Sequence, residues 1–273
     1  MKLIVFSKML KELGISELIQ FAKDAGFSGY DMAVRPGYPV NPDNVKSALP
    51  EAAKKFRDEG LDIPMVTGDT GVLFPDSGGE LLLASMADAD IRRLKLGYFK
   101  FVPMDMDYWA EVEKAREALA GWQELSKQYG VKVCYHTHSQ RCLGLNAGTL
   151  SHLLTGFDPQ NIGAFLDAGH LRAEGEEFDV AVSIVRDYLS IVAVKDFLLE
   201  RVDKSNHGSV RRRVVEAGKG MCDWTSIFEE LKRIEFDGPI SIHCEFEVDQ
   251  EEMFSAIKRE VAFFKNLHNR VCT

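Results

Sequence analysis

Six side chains stand at the ends of apolar runs, and their types suit proton transfer, metal ligation and carbonyl polarisation. They are His136, His138, Asp167, His170, Lys195 and Glu245. In the run Val131-Lys132-Val133-Cys134-Tyr135-His136-Thr137-His138, alternate residues of an extended strand share a face, so Cys134, His136 and His138 stand together. Two imidazoles spaced in this way can both present neutral nitrogens to one site. Phe165-Leu166-Asp167-Ala168-Gly169-His170 places a carboxylate directly after an apolar run, and Gly169 lets the chain turn so that His170 approaches it. A helix-capping role for Asp167 is disfavoured, because the next helical pattern begins near Phe178.

Two further runs complete the set. In Ala193-Val194-Lys195-Asp196-Phe197, alternation sends Ala193 and Lys195 to one face and Asp196 to the other. Lys195 is then either a catalytic ammonium or a partner of Asp167 or Glu245 in a rim ion pair. In Ser241-Ile242-His243-Cys244-Glu245-Phe246-Glu247, one face carries only polar residues, which is costly unless they bind something. Glu245 lies nearer the core and is the better ligand; Glu247 reads as a solvated rim residue. His136, Asp167 and Glu245 are the expected metal ligands, a mixed N/O set that suits Mn²⁺ first and Zn²⁺, Co²⁺, Fe²⁺ or Mg²⁺ as alternatives.

The elements that must position these residues show a rhythm of short apolar runs, each followed by a longer amphipathic stretch. The expected strands are Leu3–Phe6, Gly29–Val34, Asp62–Thr67, Tyr98–Val102, Val131–His136, Ile162–Asp167, Leu189–Lys195 and Ile240–Glu245. Helical patterns cover 15–25, 44–59, 79–96, 109–129, 178–187, 224–234 and 251–267. Gly26, Gly60, Gly97 and Gly130 stand where helices should stop before the next strand. Strands alternating with helices imply a parallel sheet, and eight units of about 34 residues fit a closed α/β barrel of the (β/α)₈ TIM type. No phosphate-binding glycine fingerprint follows the first strand. No linker or composition break divides the chain, so residues 1–273 are expected to form a single domain.

The chain has 273 residues, 42 Asp+Glu against 33 Lys+Arg, and a formal net charge of -9. That balance argues against nucleic-acid partners and against a polybasic membrane surface. Seventeen Phe, seven Tyr and three Trp supply ample core, which excludes a disordered chain. No apolar stretch approaches the roughly 18 residues of a membrane span, and the first residues read as a buried strand rather than a signal peptide. Five cysteines without CxxC spacing read as reduced thiols, so a cytoplasmic protein is expected.

The chain resembles the sugar phosphate isomerase/epimerase superfamily, the xylose isomerase-like TIM barrels that also include endonuclease IV. The marks are Ala25-Gly26-Phe27-Ser28-Gly29-Tyr30-Asp31, Tyr135-His136-Thr137-His138-Ser139, Leu166-Asp167-Ala168-Gly169-His170 and Val194-Lys195-Asp196. Gly218-Lys219-Gly220-Met221-Cys222-Asp223-Trp224 and Phe236-Asp237-Gly238-Pro239-Ile240 leading into Glu245 complete them. The resemblance implies a divalent metal held by Glu, Asp, His and Glu, the two glutamates also serving as acid and base. On that pattern Asp167 and Glu245 match two ligands, and His170 matches a substrate-contacting histidine. His136 falls where the family has its first Glu, and Ala193 where it has its His. A four-ligand site therefore cannot form unchanged: His136 or His138 completes it, or a water or Lys195 replaces the missing group.

The expected activity is a metal-assisted isomerisation or epimerisation of a sugar or sugar derivative through an enediolate. Glu245 or His136 would remove the proton beside the carbonyl, with His170 and Lys195 as further catalytic groups. The alternatives are a lyase acting on a 3-keto-glycoside or dehydro-sugar, and a carbohydrate-binding barrel without catalysis. Asp31, Arg35, His138 and Arg211 are the candidate substrate contacts, with Arg211-Arg212-Arg213 read as a basic turn. A homodimer is the default assembly.

Overall fold

The computed structural model describes residues 2–203 and 208–272. Its strands are β1 (Lys2–Phe6), β2 (Gly29–Ala33), β3 (Asp62–Thr67), β4 (Arg93–Lys95), β5 (Lys132–His136), β6 (Ile162–Asp167), β7 (Leu189–Val194), β8 (Asp196–Arg201), β9 (Val210–Val215) and β10 (Pro239–Ile242). The first seven and β10 close a parallel barrel in the order β1-β10-β7-β6-β5-β4-β3-β2. Closure sets Leu3 opposite Ile240 and Ile4 opposite Ser241. The helices are α1 (Ile15–Ala25), α2 (Val45–Asp58), α3 (Gly79–Asp88), α4 (Tyr108–Tyr129), α5 (Ala147–Leu154), α6 (Ala168–Ala173), α7 (Phe178–Val185), α8 (Trp224–Arg233) and α9 (Gln250–Cys272). Each longer helix buries one stripe: α8, for instance, turns Trp224, Ile227, Phe228 and Leu231 inward at three- and four-residue spacing.

The lumen of the barrel is filled, not open. Ile4, Met65, Cys134, Phe165, Ile191 and Ala193 form an interior cluster with no solvent exposure. Side chains alternate along a strand, so the residues two positions beyond this plug face the same axis one layer higher. Beyond Met65, Cys134, Phe165 and Ala193 those residues are Thr67, His136, Asp167 and Lys195, all buried. A polar layer thus caps an apolar plug at the C-terminal end of the barrel, the end where such barrels carry their chemistry.

The fourth strand is not where the sequence pattern put it. It spans Arg93–Lys95, while 98–102 is a loop with one isolated bridge, Lys100 to Cys142. The helix expected over 79–96 ends at Asp88, and Asp90 takes the left-handed conformation with φ 56°. Gly26, Gly60 and Gly130 do stop helices in left-handed conformations, but Gly97 follows β4 and closes no helix. An aspartate did the work that a glycine usually does, and Leu94 and Leu96 extended the helical spacing past the true end. The basic turn expected at Arg211-Arg212-Arg213 is also a strand: β9 pairs with β8, setting Arg211 opposite Glu200. Cys134, Cys142, Cys222 and Cys244 are free thiols; the side chain of Cys272 lies outside the described residues.

Candidate active site at the C-terminal end of the barrel

Lys195 is the centre of the polar layer. Its Nζ lies 2.9 Å from Glu245 Oε2 and 3.2 Å from Asp167 Oδ2, and the side chain is 5% exposed. It faces inward with Ala193, and it makes both of the ion pairs weighed for it, inside the barrel end and not at a solvated rim. Burial alone would lower its pKa, but Asp167 and Glu245 outweigh burial and raise it, so Lys195 is an ammonium. Conversely, burial opposes the charge on Asp167, yet Lys195 and then His170 hold that carboxyl well below its usual range. Glu245 is likewise pulled down against burial by Lys195, then by His243 and Lys8, and Lys8 pairs with its other oxygen, Oε1.

Asp167 has two tasks. Its Oδ1 accepts the backbone N–H of His170 at 2.9 Å and caps α6, a short helix the sequence pattern did not show. Its Oδ2 faces Lys195 and lies 3.5 Å from His136 Nε2 and 4.0 Å from His170 Nε2. Capping and site duties are therefore compatible, because a carboxylate has an oxygen for each.

The three histidines expected at strands five and six come together. His138 is held between Tyr98 and His170, with ring centroids 4.1 Å and 4.0 Å away. Its Nδ1 donates to the Ser139 carbonyl at 2.7 Å, leaving Nε2 as an acceptor. His170 is the opposite tautomer: the Ser139 N–H donates to its Nδ1 at 3.3 Å, so the proton sits on Nε2. Neither nitrogen of His136 nor Nε2 of His170 has a hydrogen-bond partner, though all are buried. Burial keeps all three neutral: it pushes His138 down to about 4 and His136 and His170 well below 6.5, with Lys195 adding to the effect on His138 and His170.

Asp31 lies at the end of β2, but its oxygens are taken by Thr67 Oγ1 at 2.7 Å and Ser241 Oγ at 3.0 Å. It also stands 3.7 Å from His243 Nε2, and so supports that ring from below. Arg35 is half-buried over the Phe6 ring, its Nε buried without a partner. Arg211 is exposed in β9 and does not join the buried cluster.

Lys8, Lys95, Tyr98 and His243 were not among the sequence candidates. Lys95 ends β4, is 3% exposed and donates to the Tyr98 hydroxyl at 2.8 Å. Burial, then the charge of Arg35, brings its pKa down to about 7. His243 is buried 3.7 Å from Glu245 Oε2, and Asp31 and Glu245 together raise its pKa against burial. The usable signals were the alternation Ser241, His243, Glu245 and the Arg93-Leu94-Lys95 run before Gly97.

The donor set does not suit a divalent ion. The two carboxylates that would carry the ligation are bridged by the Lys195 ammonium, and Lys8 takes the remaining oxygen of Glu245. Ala193, at the position where the family supplies a histidine, is buried in the apolar plug and offers no donor. Among the described residues, no three His, Cys, Asp or Glu side chains are arranged to hold a metal ion. The buried imidazole nitrogens of His136 and His170 without partners are left open to a ligand.

Comparison with known proteins agrees with this architecture. A family model for xylose isomerase-like TIM barrels matches residues 19–267. A search of curated proteins found no match. The apo 3-keto-D-glucoside 4-epimerase YcjR from E. coli superposes with a TM-score of 0.76 at 16% identity, covering 97% of this chain and 99% of that one. The probable 3-DHS dehydratase AsbF, involved in petrobactin synthesis in Bacillus anthracis, gives 0.75 at 17% identity over 97% and 99%. The IolI protein with a bound zinc atom gives 0.73 at 15% identity over 100% and 98%. At these identities the likeness is one of fold.

Proposed function

As the chain belongs to the xylose isomerase-like TIM barrel family, we propose that it is an enzyme that moves a proton at the carbon beside a carbonyl of a sugar or sugar derivative, as an isomerase or epimerase. One observation carries this reading. Buried, partnerless nitrogens of His136 and His170 stand around an ammonium at the catalytic end of the barrel. Each such group left unpaired costs about 1–3 kcal/mol, and a polyhydroxylated ligand supplies the missing partners. A C–H beside a carbonyl becomes acidic when the charge developing on the oxygen is met by a fixed cation, and Lys195 is the cation placed for it.

The proton itself needs a base whose pKa lies near the working pH. Glu245, expected in that role, is held in ion pairs by Lys195 and Lys8, and a carboxylate stabilised so strongly is a poor base. Lys95 suits the task better, because burial brings its pKa down to about 7, while His136, pushed well below its usual value, is the weaker base of the two. His170 and His138 then orient the substrate through the nitrogens their tautomers leave free. A divalent metal has no part in this reading.

Incubation of the protein with keto-sugars in D₂O tests it. Deuterium should enter the carbon beside the carbonyl of a turned-over substrate, and turnover without any exchange would overturn the proposal. The imidazole at the end of β5, where the family pattern has a second acidic group, also supports elimination from a 3-keto-glycoside or dehydro-sugar. Release of a leaving group, against products of unchanged mass, separates the two outcomes.

A further inference from the structure

We propose that Lys195 is a built-in replacement for the divalent cation of this fold, so that the site works without a metal. Its Nζ stands between Asp167 Oδ2, at 3.2 Å, and Glu245 Oε2, at 2.9 Å. Those are the two acidic strand ends a bridging cation would join: the ammonium hydrogen-bonds Glu245 and stands in an ion pair with Asp167. An ammonium has three N–H donors, and the one hydrogen bond to Glu245 leaves donors for a substrate oxygen. A divalent ion and the lysine cannot share that place.

Two independent features of the site agree. Ala193 lies two residues before Lys195 on the same inward face, where a donor is needed, and it is sealed among Phe165, Ile191 and Met65. The negative charges are also already matched. Asp31, Asp167 and Glu245 are met by Lys8, Lys195 and Arg35, with His243 and Lys95 as further basic groups beside them. Adding two positive charges in so enclosed a volume would leave them uncompensated. The lysine thus supplies one fixed positive charge where related sites are expected to bind two from solution, and the substrate carbonyl is gripped by a hydrogen bond instead of a coordinate bond.

The catalytic part of the inference rests on the proposed carbonyl chemistry, but the metal part is tested without any substrate. Mn²⁺ is titrated into the full chain and followed by electron paramagnetic resonance, for the wild type and for the Ala193→His/Lys195→Met double variant. The double variant should bind Mn²⁺ at least about 100-fold more tightly than the wild type, because it restores a donor and empties the bridging position. Wild-type affinity within tenfold of the double variant overturns the proposal, as does stoichiometric Mn²⁺ or Zn²⁺ retained by wild-type protein purified without chelator. A double variant that does not fold leaves that retained-metal measurement to decide. For any sugar that passes the deuterium test, EDTA should leave kcat/KM unchanged, and loss of activity on chelation counts against the lysine. If no sugar exchanges deuterium, the carbonyl reading falls while the titration still decides the metal question.

Discussion

Two lysines share one site, and their surroundings drive them in opposite directions. Lys195 is clamped by two carboxylates and stays charged. Lys95 has a tyrosine hydroxyl for its hydrogen bond, lies near the charge of Arg35, and titrates at about 7. Such pairs mark a division between electrophile and base. If Lys95 acts as the amine base, wild-type kcat/KM should rise as pH passes about 7, since the free amine is the active form. Lys95→Met should lower kcat/KM at least about tenfold and abolish that rise, roughly 1.4 kcal/mol at the transition state. A pH profile unchanged in Lys95→Met would show that the limb belongs to another group and that Lys95 only packs.

At the scale of elements, the turn after β7 decides how well Lys195 is held. Asp196 points away from the lumen and is fully buried. It accepts the backbone N–H groups of Gly218, Gly220 and Cys222 and the indole N–H of Trp224, all at 3.0–3.1 Å. One carboxylate thereby folds the segment between β9 and α8 against the strand that carries the lysine. The close approach needs a residue without Cβ at 220, where a methyl group would sit 2.2 Å from Asp196 Oδ1 and 2.5 Å from the Phe197 carbonyl. Gly220→Ala should therefore destabilise the fold by about 1–3 kcal/mol, read as a lower denaturant midpoint. It should also weaken kcat/KM by shifting Lys195. A midpoint equal to the wild type would mean that the turn adapts and does not position the lysine.

For the whole molecule, the buried titratable groups set how stability depends on pH. His136, His138 and His170 refuse protons that the unfolded chain accepts below its ordinary value of 6.5, so stability is lost as pH falls through and below that value. Glu260 on α9 works the other way: burial pushes its carboxyl up from 4.5 to about 8, despite the N–H it accepts from Ala217. Its contribution is present below 4.5 and is lost as pH rises toward 8. The histidines outnumber it, so the melting temperature should drop between pH 6.5 and pH 5. Glu260→Gln should drop more steeply over that range and gain on the wild type between pH 5 and pH 8. Parallel melting curves for the two proteins across pH 5–8 would show that Glu260 titrates normally.

The barrel and half of its site were legible in the chain because both depend on short-range order. Alternation of two sets the inward residues of β5, β6 and β7, which is why His136, Asp167 and Lys195 could be placed from the apolar runs that precede them. The rhythm of strand and helix then leaves a closed parallel sheet as the economical solution for burying every run. What could not be read locally was the left-handed Asp90, and with it the position of β4 and the presence of Lys95 in the site. Partnership was equally out of reach. Lys195 meets Glu245 across 50 residues of sequence, and Lys8 meets it across 237. Whether a lysine at a strand end reaches solvent, a substrate or two carboxylates is settled by barrel closure, which brings β1, β7 and β10 side by side. Sequence determined that His136, Asp167 and Lys195 would stand at the ends of their strands. Only the closed ring decided that an ammonium, packed over an alanine, would take the place between Asp167 and Glu245.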